Sequence, residues 1–135
     1  MSLRSHQLRK PAVYVTESEY ERLWNLAESN SSRGATLLGD ELARATVVKD
    51  AHARRTFVRL NSVVEFTDLM TGRTRRVQIV LPDAADIDKG RMSVVTPVGA
   101  ALIGLTPGSS IALSTEDGRS QVLQVASVET AHAAA

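Results

Sequence analysis

Ser93-Val94-Val95-Thr96-Pro97-Val98-Gly99-Ala100-Ala101-Leu102-Ile103-Gly104-Leu105-Thr106-Pro107-Gly108 is the stretch on which the reading of this chain turns. It reads as a strand, a capped short helix, a glycine stop and a turn. The Thr96 hydroxyl can accept from the first free N–H groups of a helix, and Pro97 suits the first helical position, where its missing N–H is not needed. Val98, Ala101 and Leu102 then fall on one apolar face, at helical offsets. Gly104 can end the helix in the left-handed conformation.

Outward from this stretch the chain shows two kinds of periodicity. Residues 13–50 have helical spacing. Thr16-Glu17-Ser18-Glu19 fits a capping box, with Thr16 as N-cap and Glu19 reaching back. Tyr20, Leu23, Trp24 and Ala27 follow on one face. Asn30-Ser31-Ser32-Arg33-Gly34 is a turn cluster, and a second helix is expected over 35–48, with Leu38, Leu42 and Ala45 inward. Two such helices with a short connection predict an antiparallel helical hairpin, each arm spanning roughly 20 Å at about 1.5 Å per residue. Tyr20, Leu23, Trp24, Leu38 and Leu42 should pack together, and a fully buried Trp24 would cost roughly 3–5 kcal/mol on truncation to alanine.

From Thr56 onward the character is that of strands. The β-branched run 57–67, a turn at Met70-Thr71-Gly72-Arg73 and the alternating run 75–81 predict a β-hairpin. A polar, acidic connection fills 82–90, and 92–95 is a short strand before the capped helix. Strands are expected at 110–114 and 121–128, joined through Glu116-Asp117-Gly118-Arg119, whose Asp-Gly pair is a strong hairpin signal. The expected fold class is α+β: a flexible arm over 1–12, a short helical hairpin (a coiled coil) over 13–50, and over 54–130 an antiparallel sheet carrying one helix.

Bulk properties narrow the function. With 135 residues the chain suits one domain and a modest extra element, and its net charge of +1 gives no general pull toward nucleic acid or membrane. The absence of cysteine excludes disulfides and thiolate metal sites and fits a cytoplasmic location. No apolar run approaches the roughly 20 residues that cross a bilayer, and no signal-peptide pattern follows the basic start at Arg4, Arg9 and Lys10. The Ala-rich end, 131–135, reads as a frayed tail.

No catalytic motif is present. His6, His52 and His132 lack neighbours at metal-ligand spacing. There is no nucleophile elbow, phosphate loop or dinucleotide fingerprint. Gly99, Gly104 and Gly108 read as turn and packing glycines. The acids Asp83, Asp86 and Asp88 read as a solvated connection rather than a calcium loop, since no bidentate Glu lies at the required spacing. No cofactor or metal is expected. Arg54, Arg55 and Arg59 flank the first strand, and Arg73, Arg75 and Arg76 the second. Paired as a hairpin, they could form a basic patch for an acidic protein surface or nucleic acid, or a charged solvent face. Few aromatics accompany them, so base stacking and sequence-specific nucleic-acid binding are not expected.

The 93–108 run, together with Leu60-Asn61-Ser62-Val63-Val64-Glu65-Phe66, Gly72 and Val80-Leu81-Pro82, resembles the C-terminal domain of the Gre transcript-cleavage factors. The likeness is closer to their short relatives, the Rnk family, named for regulation of nucleoside diphosphate kinase. It extends over about 13–128, most specifically in 97–108. The resemblance implies an FKBP-like fold for the second region and docking at the rim of the RNA polymerase secondary channel, with the coiled coil pointing into it. It places the docking corner at Thr96, Pro97 and Val98, with Gly99 beside them. Gre members often carry an acid just before the Ser/Thr-Pro pair; Val95 stands there in this chain.

The hairpin tip departs further. Cleavage-stimulating members hold paired acids there, which help bind a catalytic Mg²⁺, a hard cation that needs carboxylate oxygens. Here the tip is Ser29-Asn30-Ser31-Ser32-Arg33-Gly34, with Glu28 alone at its edge and Asp40 and Glu41 more than a turn back. The expectation is therefore a non-enzymatic polymerase-binding regulator without cleavage activity. The alternative is a regulator of a metabolic enzyme such as nucleoside diphosphate kinase. A third reading, prolyl isomerisation, needs an aromatic-lined pocket, and three of the five aromatics, Tyr14, Tyr20 and Trp24, fall in the helical region.

Overall fold

The computed structural model describes residues 10–50, 56–114 and 118–130. The elements are β1 (Tyr14–Thr16), α1 (Glu17–Glu28), α2 (Arg33–Ala43), β2 (Thr46–Val48), β3 (Val63–Asp68) and β4 (Arg73–Val80). Two 3-10 turns follow, Pro82–Ala84 and Ile87–Lys89, then β5 (Arg91–Ser93), α3 (Pro97–Leu102), β6 (Ser110–Ser114) and β7 (Ser120–Glu129). This is an α+β chain: two helices, then a sheet that carries a third. The expected arm and tail, His6, His52, His132, Arg54, Arg55 and the Glu116-Asp117 half of the last turn lie outside the described residues.

The helical face falls as its spacing predicts. Leu23, Ala27, Leu38 and Leu42 are buried, with Tyr20 and Trp24 half-buried against them. The capping box does not form. Thr16 occupies the N-cap position but makes no side-chain cap bond, because it belongs to β1 and is fully buried. Asp50 caps α1 instead: the Ser18 N–H donates to its Oδ1 at 3.1 Å and the Ser18 hydroxyl to its Oδ2 at 2.6 Å. A charged acceptor at a helix N-terminus outcompetes a neutral hydroxyl. Glu19 turns away from the helix and accepts the Leu60 N–H at 3.3 Å, with the Arg59 Nε 3.8 Å from its other oxygen.

The second helix is shorter than the expected 35–48. It begins at Ser32, whose hydroxyl accepts from the Ala35 N–H at 3.1 Å, and ends at Ala43. The β-branched Thr46, Val47 and Val48 leave it to pair in parallel with Tyr14, Val15 and Thr16, a two-stranded sheet that local periodicity does not announce. Beneath this pair, Glu41 is wholly buried and accepts from the Arg44 Nε at 3.1 Å, and Arg44 also reaches the Pro11 carbonyl at 2.5 Å.

The main sheet has the order β5-β4-β3-β7-β6. β3 pairs antiparallel with both β4 and β7, with a bulge at Glu65/Phe66, and β6 pairs antiparallel with β7. The expectation of an antiparallel sheet is corrected at its edge: β5 runs parallel to β4, because the chain crosses over through 81–90 before rejoining the sheet. The expected strand 57–67 is also divided. Asn61 adopts a left-handed conformation (φ 73°) and its N–H bonds to the Ile79 carbonyl at 2.6 Å, so the ladder starts only at Val63. The hairpin turn at 70–73 forms as expected, with the Gly72 N–H on the Asp68 carbonyl at 2.7 Å.

One sheet face and α3 enclose the core, in which Val64, Phe66, Val77, Ile79, Leu123 and Val125 meet Ala101, Leu102 and Leu105. At about 25 cal/mol per Å² of apolar surface, this burial is the main favourable term holding the sheet region together. α2 lies on α3 and joins the helices to the sheet. Gly104, at φ 82°, seats the opposite end of the helical region: the Tyr14 N–H donates to its carbonyl at 3.0 Å, and a Cβ there would stand 2.4 Å from the Val13 Cγ1.

Candidate docking corner

The corner is built by local chemistry. β5 ends as the Val94 N–H bonds to the Val80 carbonyl at 2.9 Å. The chain then folds back on Ser93. Its hydroxyl accepts from the Val95 N–H at 3.1 Å, and its carbonyl accepts from the Thr96 N–H at 3.1 Å and the Thr96 hydroxyl at 2.7 Å. Thr96 caps α3 as its sequence predicts, accepting the Gly99 N–H at 3.1 Å. Pro97 takes the first helical position. The bend is thus held by local bonds among Ser93, Val95, Thr96 and Gly99, anchored to β4 through Val80.

Thr96, Pro97 and Val98 are half-buried, while Gly99 is buried and shapes the corner without reaching its surface. A cavity of about 290 Å³ opens beside them, walled by Met92, Pro97, Val98, Leu113 and Arg33. A second, of about 390 Å³, lies along α2 and β6 between Leu37, Asp40 and Leu113, again with Arg33 at its rim. Neither has an aromatic wall. The corner's back is covered by α2. Gly34 is buried so closely on it that a Cβ would stand 1.7 Å from the Val95 carbonyl oxygen. The cap pattern of the sequence finds the helix start at Thr96 and Pro97, and the family resemblance points to Thr96, Pro97 and Val98 as the corner. Sequence reasoning misses Arg33 and Gly34, because only the packing of α2 brings them here; the one signal is a glycine inside the first turn of a helix, where alanine is favoured by about 1 kcal/mol.

The arginines do not gather into one patch among the described residues. Arg59 pairs with Glu19, at the end of the β4 ladder where Asn61 bonds to Ile79. Arg73, Arg75 and Arg76 occupy the other end. Arg76 bonds Glu129 at 2.7 Å, Arg75 lies 6.0 Å from the centre of the Phe66 ring, and Arg73 faces Asp68 across the ladder. Strand length separates Arg59 from Arg73, Arg75 and Arg76, and Arg59 and Arg76 each meet a carboxylate. In the acidic connection, the Asp86 carboxylate accepts the Asp88 N–H at 3.1 Å, closing a 3-10 turn. Among the described residues no three metal-binding side chains converge.

Two carboxylates at the helix–sheet junction have shifted pKa values. Burial pushes Glu19 up, against the opposing effects of the Leu60 N–H and the Arg59 and Arg22 charges. The Ser18 hydrogen bonds hold Asp50 below its ordinary value. Both groups brace the junction and lie away from the corner's cavities.

Comparison with known proteins agrees with this architecture. A family model described as "Transcription elongation factor, GreA/GreB, C-term" matches residues 53–130, and one described as "Rnk N-terminus" matches residues 11–48. The Escherichia coli K12 protein named "Regulator of nucleoside diphosphate kinase" is 31% identical over 125 residues, covering 90% of this chain and 92% of the relative. "Transcription elongation factor GreA" of Azorhizobium caulinodans is 35% identical over 101 residues, 75% of this chain and 64% of that protein. Among solved structures, a prokaryotic transcription elongation factor GreA/GreB from Nitrosomonas europaea superposes with a TM-score of 0.69 at 32% identity, over 89% of this chain and 99% of that one. No helix among the described residues is long and apolar enough to cross a membrane. The chain therefore belongs to the Rnk family of regulators, which shares its C-terminal region with the GreA/GreB elongation factors.

Proposed function

We propose that this chain is a cytoplasmic transcription regulator that binds RNA polymerase through the Thr96–Val98 corner, at the rim of the secondary channel, and does not stimulate transcript cleavage. The observation that carries the reading is the corner itself. It is a locally hydrogen-bonded bend that leaves Pro97 and Val98 partly open beside a largely apolar cavity, inside the region shared with the GreA/GreB factors. In this reading the sheet region acts as the FKBP-like docking module and the helix pair as a shortened coiled coil.

The loss of cleavage follows from the tip. Residues 29–32 carry no carboxylate, and the Arg33 guanidinium turns onto the Ser114 carbonyl. α2 lies along α3, so Asp40 and Glu41 are held at the sheet region. Glu41 is buried under Arg44. A carboxylate that cannot reach a distant Mg²⁺ cannot coordinate it. The test is co-purification of core polymerase with the tagged protein, competed by a Gre factor, beside a cleavage assay on stalled complexes. Competition without cleavage is expected. Absence of association with the corner intact overturns the reading.

The name of the Escherichia coli relative supports a second reading, regulation of nucleoside diphosphate kinase through direct or indirect contact. Titration of this chain against purified kinase separates the two: saturable binding with no polymerase association favours the kinase. Proline-peptide isomerisation at catalytic protein concentration should stay at the uncatalysed rate, since neither cavity presents an aromatic wall.

A further inference from the structure

Arg33 stands at the junction of the two cavities without a counter-charge among the described residues. Arg44, Arg59 and Arg76 each meet a carboxylate, at 2.5, 3.8 and 2.7 Å. Arg33 is exposed and donates to a neutral partner, the Ser114 carbonyl at the end of the edge strand β6. It is also held in place. Ser32 caps α2 on one side of it and Gly34 is pressed against the Val95 carbonyl on the other, so the backbone of Arg33 cannot withdraw from the corner. The one acid in the two cavity linings, Asp40, lies two turns along α2, about 10 Å away at 1.5 Å per residue.

A guanidinium has five N–H donors in a planar fork, and one bond to a carbonyl leaves a bidentate face for a carboxylate. The walls around it are Met92, Pro97, Val98 and Leu113, which suit an aliphatic side chain. Nucleic acid fits this groove poorly. It offers no aromatic ring on which a base could stack and no second cation in either cavity lining to follow a phosphate backbone.

We propose that Arg33 anchors a carboxylate of the docking partner, and that the groove receives an acidic protein segment whose neighbouring aliphatic side chain enters the Met92–Val98–Leu113 cavity. This rests on the docking reading above and extends the partner surface from the corner to the first turn of α2. The corner then supplies shape and Arg33 supplies charge selection.

Binding to core polymerase, measured by titration at several salt concentrations, tests it with Arg33→Glu, Arg33→Gln, Arg33→Lys and Val98→Asp, each checked for an unchanged thermal midpoint. Arg33→Glu should weaken binding by at least about tenfold and flatten its salt dependence, as loss of an interfacial charge contact does. Arg33→Gln should lose less, and Arg33→Lys least. If Arg33→Glu does not fold, Arg33→Gln decides alone by its affinity and salt slope. Wild-type affinity and salt dependence in the Arg33 variants, with Val98→Asp failing to bind, overturns the anchor and leaves the docking reading intact. Wild-type binding by Val98→Asp overturns both. A titration with single-stranded RNA completes the test: RNA binding that disappears in Arg33→Glu while polymerase binding persists assigns Arg33 to nucleic acid and overturns the proposal.

Discussion

The sheet region and the helical region are held together by different means. In the sheet, each strand is fixed by a ladder to its neighbour, and α3 is capped by residues adjacent in sequence. In the helices, the determining contacts come from far along the chain: Asp50 caps α1, Leu60 binds Glu19, Val95 receives Gly34 and Gly104 receives Tyr14. The sheet is therefore a structure of many equivalent bonds, and the helix pair is attached at a few particular points. Loss of one such point should loosen the helices and leave the sheet largely standing.

The largest effect is expected at Gly34. Gly34→Ala drives a Cβ into the Val95 carbonyl, and the overpacking should cost about 3 kcal/mol. Amide exchange should then rise in α1 and α2 while β3, β4 and β7 stay protected. Equal loss of protection in both regions would show one cooperative unit and abolish the contrast. Next is Trp24→Ala. Because Trp24 is half-buried against Tyr20, truncation should cost about 2 kcal/mol, below the 3–5 kcal/mol of a fully buried aromatic. Urea unfolding measures it. Thr96→Ala removes a cap inside the sheet region and should cost about 1 kcal/mol, with the helices unaffected. A larger loss would mean that the corner depends on α2 for its shape.

The smallest effect is one of pH. Burial raises the Glu19 pKa, so the folded state takes up a proton more readily than the unfolded chain. Its contribution is fully present below the unfolded pKa and is lost as pH rises through the folded one. Glu19→Gln keeps an acceptor for the Leu60 N–H without the charge. Its stability relative to wild type should therefore be greater at pH 7 than at pH 4, as followed by thermal midpoints. Asp50 has the opposite sign: its pKa is lowered, and its support for α1 is present at neutral pH and fades on acidification. A Glu19→Gln difference that widens toward acid would reverse the assignment.

The same contrast explains what was legible in the sequence. Thr96 and Pro97 act on their own neighbours, so the capped helix in the 93–108 stretch was legible from local pattern, while its place as a docking corner came from the family resemblance. The alternation over 75–81 and the turn at 70–73 were readable for the same reason. Thr16 and Glu19 were misread because a capping box is a local bet, and each found something better: Thr16 the interior of a parallel strand pair, Glu19 the turn at Leu60. Asn61 broke a β-branched run because its N–H satisfies Ile79, which no local pattern reveals. Arg33 belongs to the site only through the tertiary fit of Gly34. What the corner is was local; what stands beside it was not.

The bond from Tyr14 to Gly104 has a consequence for synthesis. The helices leave the ribosome first, but the residue on which their leading strand hangs is made much later, and the Val95 seat of Gly34 only shortly before it. Contacts of such long sequence separation close late and slow folding. The helix pair cannot be seated before residues 95–104 are made, and until then Leu23, Leu38 and Leu42 lack their partners in the common core. The groove at Arg33 exists only once α2 is seated on the corner.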